Sequence, residues 1–346
     1  MNFRRWLITV LSFCAVIAVS VYVMRSSRAT GGAQLSLPPS AHLLALAATI
    51  IDILARGMKL RLSAASLRIP LRLSTALRVS LGGDFGASIT PARTGAEPAR
   101  FLILSEAGVT TSGALLILFT ELFLEMLSLA VIALVLALTF DPSGAMVTGV
   151  VGLVGLYAFF VMSVSFIGYA LSKRNASGPV PAWARRLGLH AGRWRTVQRS
   201  LRSVRHSVGE LRHARAGPMI GALIMSIAHV LARLMVLPVI VLTVAPGAPL
   251  ADLVLWPLAI LYGGSVAPAP GGGGLVEVAF KAALGGVIPV AFFGAALLWW
   301  RFYTFYIYLI GGALVAGNTV LRALRRLGGR NNATMSPDTA PGRVAV

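Results

Sequence analysis

The chain has 346 residues, of which 57% are hydrophobic and only 12% charged, and its mean hydropathy is +0.81. Soluble domains carry roughly twice that charged fraction, so the composition excludes an ordinary water-soluble enzyme and indicates a polytopic helical membrane protein. The net charge of +20 fits lysine and arginine held in cytoplasmic loops, not a nucleic-acid surface. The single cysteine, Cys14, excludes an intramolecular disulfide and a thiolate metal cluster.

Residues 6–24, WLITVLSFCAVIAVSVYVM, follow Arg4 and Arg5. The run is long for a secretory leader and lacks a clean small-residue cleavage site, so it reads as a retained first transmembrane helix. A second span is expected over about 41–55, followed by a dense basic patch of Arg56, Lys59, Arg61, Arg68, Arg72 and Arg78. Later spans fall near 112–139, ending at Asp141-Pro142, and near 145–171. Two more fall at 218–245, ending at Pro246-Gly247, and within 287–321, closed by RALRR. With the N-terminus in the cytoplasm, the basic patch, the 172–217 loop and the C-terminal arginines all lie inside, as the distribution of basic residues in cytoplasmic loops requires. Both termini are therefore expected in the cytoplasm.

The 172–217 loop holds eleven Lys or Arg against one acid, Glu210. Within 193–215, Trp194, Val197, Leu201, Val204, Val208 and Leu211 recur at three- and four-residue steps. That is an amphipathic helix with a cationic back, suited to anionic inner-leaflet head groups; a coiled-coil seam with a partner is the alternative. The polar tail, 329–346, is expected to be disordered.

Two segments do not fit as simple spans. SLGGDFGASITPARTGAEPARFLIL, 80–104, is interrupted at Pro91 and Gly95 and approached from the cytoplasm. The segment 252–284 is interrupted at Pro268, Pro270, Gly271, Gly272, Gly273 and Gly274 and approached from outside. Irregular backbone at membrane depth is tolerated only where protein buries it or a wet cavity accepts it. A pair of such breaks at matching places is the sign of an inverted repeat, here 41–139 against 218–321. The alternative is one kinked helix with a loop in each place. The expected fold is thus all-α, a transmembrane bundle of about six full spans and two re-entrant or broken segments, occupying 1–328.

Charges inside apolar segments cost about 2.5–3.5 kcal/mol each unless paired or wet. Asp52, Glu97, Glu121, Glu125 and Glu277 are the acids so placed; Arg93, Arg100, Arg233, Lys281 and Arg301 are the bases, with His229 nearby. Glu121 and Glu125 lie four apart on one helix face and need cations from another helix. Glu277 and Lys281 are also four apart, so a local ion pair and a ligand role are both open. No metal-spaced cluster stands out, since five histidines are scattered along the chain. The glycine run lacks the Lys-Ser/Thr of a phosphate loop. No cofactor and no catalytic constellation is expected.

The motif Pro91-x-Arg93-x-Gly95-Ala96-Glu97-x-x-Arg100 resembles the Pro-x-Arg-x-Gly-Glu-x-x-Arg signature of the transmembrane, flippase-like family of lysylphosphatidylglycerol synthases. Ala96 is an insertion relative to it, and Leu122 follows Glu121 where the family often has arginine. APAPGGGGLVE resembles the family's second motif, ending here at Glu277, and LLWWRFYTF its late arginine, Arg301. The resemblance implies a lipid flippase-type protein without the C-terminal aminoacyl-transfer domain of the full synthases, hence not an enzyme by itself. The implied cargo is a phospholipid, aminoacyl-lipid, glycolipid or hopanoid in a bacterial inner membrane. Arg93, Glu97, Arg100, Glu121, Glu125, Glu277 and Arg301 are the expected translocation residues. A non-catalytic subunit presenting a lipid-linked substrate to a partner lipid-modifying enzyme is the second reading, and a solute or ion transporter the third.

Overall fold

The computed structural model describes residues 37–140, 214–263 and 274–319, together with Gly272 and a few isolated positions between 149 and 194. The first expected span (6–24), the span near 145–171, the tail 329–346 and most of the amphipathic stretch 193–215 lie outside the described residues. So do Pro268, Pro270, Gly271 and Gly273.

Every element among the described residues is helical. Helix α1, Pro39–Ser66, starts with proline in its first turn, where no amide donor is needed. It stops at Arg68, whose left-handed φ of 60° lets the amide of Ile69 reach back to the carbonyl of Ala64 at 2.9 Å. Two short helices follow, α2, Leu73–Ser88, and α3, Ala96–Glu106, separated by the irregular turn that contains Pro91–Arg93. Helix α4, Thr111–Thr139, opens with the Thr110 hydroxyl accepting the amide of Gly113 at 3.2 Å.

The second half repeats the order. Helix α5, Ala216–Leu242, is long; α6, Leu250–Gly263, and α7, Leu275–Leu284, are short. Helix α8 begins at Val290–Arg301 and runs on through a π-turn, Phe302–Tyr306, to Thr319. Long, short, short, long is therefore the element order of both halves. Among the described residues, three helices are long and apolar enough to cross a membrane: Thr111–Leu136, Ala216–Leu242 and Val290–Thr319.

One expectation is corrected. A span ending near residue 55 with a solvated basic patch behind it is not what forms. Helix α1 continues for 28 residues through the patch, and Arg56 and Lys59 are buried inside the protein, Lys59 completely. Arg61, Arg68 and Arg72 do stay exposed. The first two cations turn inward because carboxylates from α2 and α4 meet them there.

The packing is that of a membrane bundle, where close fit must replace the hydrophobic drive of water. Helices α1 and α5 form the most extensive pair, with Ala41, Ala45, Ala48, Ala55 and Ala222 buried along them. One apolar cluster joins the start of α1 to the end of α5 and to α6, α7 and α8 around Phe280, Phe292 and Trp300. A second lies between α4, α5 and α6, and a third holds α2 and α3 against the end of α1 and the start of α4.

Candidate functional site

Charge collects beside the first break. Asp84, near the end of α2, receives both terminal nitrogens of Arg56, at 2.6 and 2.9 Å. Arg93, within the break, approaches the same carboxylate at 3.9 Å. One turn further along α1, Lys59 donates to Glu125 of α4 at 2.8 Å and lies 3.4 Å from Glu121. Arg100 of α3 sits 3.5 Å from the other oxygen of Glu121 and 3.3 Å from Glu97. The row Glu97–Arg100–Glu121–Lys59–Glu125 thus alternates in sign. It runs from Glu97, 59% exposed, down to the fully buried ammonium of Lys59.

A third group surrounds Asp52. This carboxylate is fully buried, lies 3.2 Å from the His229 Nδ1 and 3.9 Å from the Arg233 Nε, and accepts from the Tyr308 hydroxyl. The guanidinium groups of Arg56 and Arg233 lie 5.8 and 4.7 Å from the Tyr308 ring centroid, which ties this group to the Arg56–Asp84 pair.

Helical spacing does the positioning. Asp52, Arg56 and Lys59 stand at i, i+4 and i+7 on one face of α1, Glu121 and Glu125 on one face of α4, and His229 and Arg233 on one face of α5. Gly83 matters because a Cβ there would collide with the Nε of Arg100, so the arginine crosses α2 only over a glycine. At Gly86 a Cβ would lie 2.5 Å from the carbonyl oxygen of Gly95, so α2 and the break are in near-backbone contact. Ala92 and Arg93 take left-handed φ values of 49° and 55°, which costs about 1–2 kcal/mol per residue for a side chain with a Cβ. Strain of this kind persists where surrounding structure imposes it, and such places are often functional.

Five carboxylates (Asp52, Asp84, Glu97, Glu121, Glu125) are matched here by five basic side chains: Arg56, Lys59, Arg93, Arg100 and Arg233. That balance offsets the desolvation each charge incurs. It also leaves two ends of opposite sign exposed at the break, Arg93 at 44% and Glu97 at 59%. Those ends can take a phosphate and a cationic group without disturbing the buried pairs beneath them. Among the described residues no cluster is suited to holding a metal ion.

The second break is built differently. Gly274, with φ 81°, starts α7, and its amide donates to the Glu277 side chain at 2.8 Å. The other oxygen of Glu277 lies 2.9 Å from the Nε of Arg301, and both side chains are buried. The Arg301 guanidinium also stacks 4.8 Å from the Phe305 ring centroid, where the π-turn begins. Phe280 and Trp300 pack beside the pair with ring centroids 4.9 Å apart. Glu277 is therefore partnered across helices, and Lys281 points outward, so the local Glu277–Lys281 pair is not the one that forms.

Of the residues singled out by sequence, Arg93, Glu97, Arg100, Glu121 and Glu125 come together, and Glu277 and Arg301 form the second set. Pro91 and Gly95 lie in the first break, and Gly272, with φ 69°, and Gly274 in the second. Sequence reasoning missed Arg56, Lys59, Asp84 and Tyr308 as site residues. The stripe Asp52–Arg56–Lys59 at helical spacing was the signal that could have found two of them.

Three long apolar helices, two helix–break–helix units and a buried ionic row define a helical integral membrane protein with a polar interior. The chain belongs to the family described as the lysylphosphatidylglycerol synthase TM region, whose profile matches residues 7–312. That range takes in both breaks and every charged residue of both sets. None of the curated proteins compared with the chain matches it.

Proposed function

We propose that this protein moves a polar-headed lipid between the leaflets of a bacterial inner membrane, with both termini in the cytoplasm. The observation that carries the reading is the charge-balanced cluster beside the first break, which leaves Arg93 and Glu97 exposed. A head group carrying phosphate and a cationic group could exchange for water at those ends, while the acyl tails stay in the surrounding bilayer. Membership of a family named for a lipid synthase's membrane region supports a lipid cargo. The repeated element order supports two re-entrant segments open to opposite faces, as in transporters built from inverted repeats. No bond-making chemistry is needed, so the chain acts as a transporter and not as an enzyme.

The test uses purified protein in liposomes carrying phosphatidylglycerol or its lysyl ester, each with a fluorescent acyl chain, and an impermeant quencher. Outer-leaflet quenching that extends to the inner-leaflet pool, and that Glu97→Gln slows, is the expected result. Lipid binding with no exchange between leaflets would instead make this a subunit that presents its lipid to a partner enzyme. Flux of a soluble ion without lipid movement would overturn both readings.

A further inference from the structure

The centre of the molecule holds a histidine that the transport reading has not used. His229 is buried, with its Nδ1 3.2 Å from an Asp52 oxygen. The other oxygen of Asp52 accepts from the Tyr308 hydroxyl. A carboxylate with those contacts acts as acceptor, which assigns the hydrogen of a neutral imidazole to Nδ1. The Nε2 atom is then a lone-pair acceptor, and it is buried with no hydrogen-bond partner. Leaving a buried polar atom unmatched is costly and calls for an explanation.

The surroundings supply one. From α1 come Asp52 and Lys59, from α4 Glu125, and Arg233 of α5 and Tyr308 of α8 meet the same Asp52 carboxylate; Lys59 and Glu125 lie within electrostatic reach of the imidazole. His229 therefore stands between the Asp52 group and the inner end of the row Glu97–Arg100–Glu121–Lys59–Glu125. With a neutral imidazole the five carboxylates and five basic groups balance. One proton added at Nε2 turns the ring into a donor at both nitrogens and leaves the cluster with one excess positive charge. The added charge repels the Lys59 ammonium and attracts the Glu125 carboxylate, and a loosened Lys59–Glu125 pair changes what Glu121 and Arg100 can offer at the exposed end.

From this geometry we infer that His229 is a proton-binding site that couples protonation to head-group release and capture; the inference rests on the transport reading above. The proton is taken up at Nε2 and leaves from Nε2, with no covalent change. Lys59 and Glu125 are the link between the two sites. Histidine is suited to the role because its ordinary range lies near neutrality.

Two measurements separate this claim from the transport reading. In liposomes, exchange of fluorescent phosphatidylglycerol should quicken roughly tenfold between about pH 7 and about pH 5, and His229→Gln and His229→Asn should flatten that profile. In parallel, nitrogen NMR of ring-labelled histidine in the purified full chain, with His229 assigned by subtracting the His229→Gln spectrum, should show His229 titrating in that interval. Its midpoint should move when phosphatidylglycerol is added. Lipid exchange with the same pH profile in the wild type and both variants, or a His229 that stays neutral throughout, overturns the proton site and leaves transport standing. A His229 that titrates and responds to lipid in a protein that exchanges no lipid overturns transport and keeps the proton site.

Discussion

The two halves use the same backbone device with opposite side-chain strategies. In each, a long helix leads to two short helices around a break, and a second long helix closes the unit. The α2–α3 break is surrounded by a many-membered ionic row that reaches the surface. Among the described residues, the α6–α7 break carries one buried pair, Glu277–Arg301, wrapped in aromatic side chains. Charge that is only structural can be met by one good partner and sealed. A row with exposed ends and alternating sign is a means of exchanging partners. On the transport reading proposed above, head-group exchange belongs to the first break and anchoring to the second.

Removing the middle of the row should have the largest effect. Lys59→Met leaves Glu121 and Glu125 without their shared cation; loss of one partner of a buried pair costs about 3–5 kcal/mol. Thermal unfolding in detergent should show the loss, and lipid exchange should be abolished. Glu277→Gln should cost about 2 kcal/mol by the same assay, since Gln keeps an oxygen to cap Gly274 but no longer neutralises Arg301. Glu97→Gln gives the contrasting result. Its side chain is 59% exposed, so stability should change by less than about 0.5 kcal/mol while lipid exchange drops.

Much of this contrast could be read from the sequence, and the rest was hidden for a physical reason. Helices α4 and α5 announce themselves because nothing polar interrupts their apolar runs except groups that lie on one face. The breaks are legible because proline and glycine act through the local backbone. The inner half of α1 was misplaced because hydropathy scores Arg56 and Lys59 as if each stood alone in lipid. Their burial depends on Asp84, Glu121 and Glu125, which only the folded chain brings to them. Asp84 itself sits among glycines, in a segment dominated by the signal of the break. The Tyr308 contact to Asp52 joins residues far apart in the chain, and no local pattern encodes it.

Smaller changes sharpen the comparison further. Gly83→Ala adds a methyl where Arg100 crosses α2; overpacking of this kind costs about 1–3 kcal/mol. Because the arginine side chain is flexible, stability should fall by the low end of that range and lipid exchange by more than Glu97→Gln produces. Arg93→Gly should have a small effect on stability, of the opposite sign. It relieves a left-handed residue, worth up to about 1 kcal/mol, and removes the exposed cation of the break. A protein that is slightly more stable and slower in lipid exchange is the expected outcome.

The central claim is that the two breaks open to opposite faces of the membrane, with head groups exchanging at the first. In a Cys14→Ser background, single cysteines are placed by Thr94→Cys in the first break and Ala267→Cys in the second, in oriented membrane vesicles. An impermeant thiol reagent should reach position 94 only from the cytoplasmic side and position 267 only from the opposite side, and added phosphatidylglycerol should slow labelling at position 94. Labelling of both positions from one face, or of neither, would contradict the account.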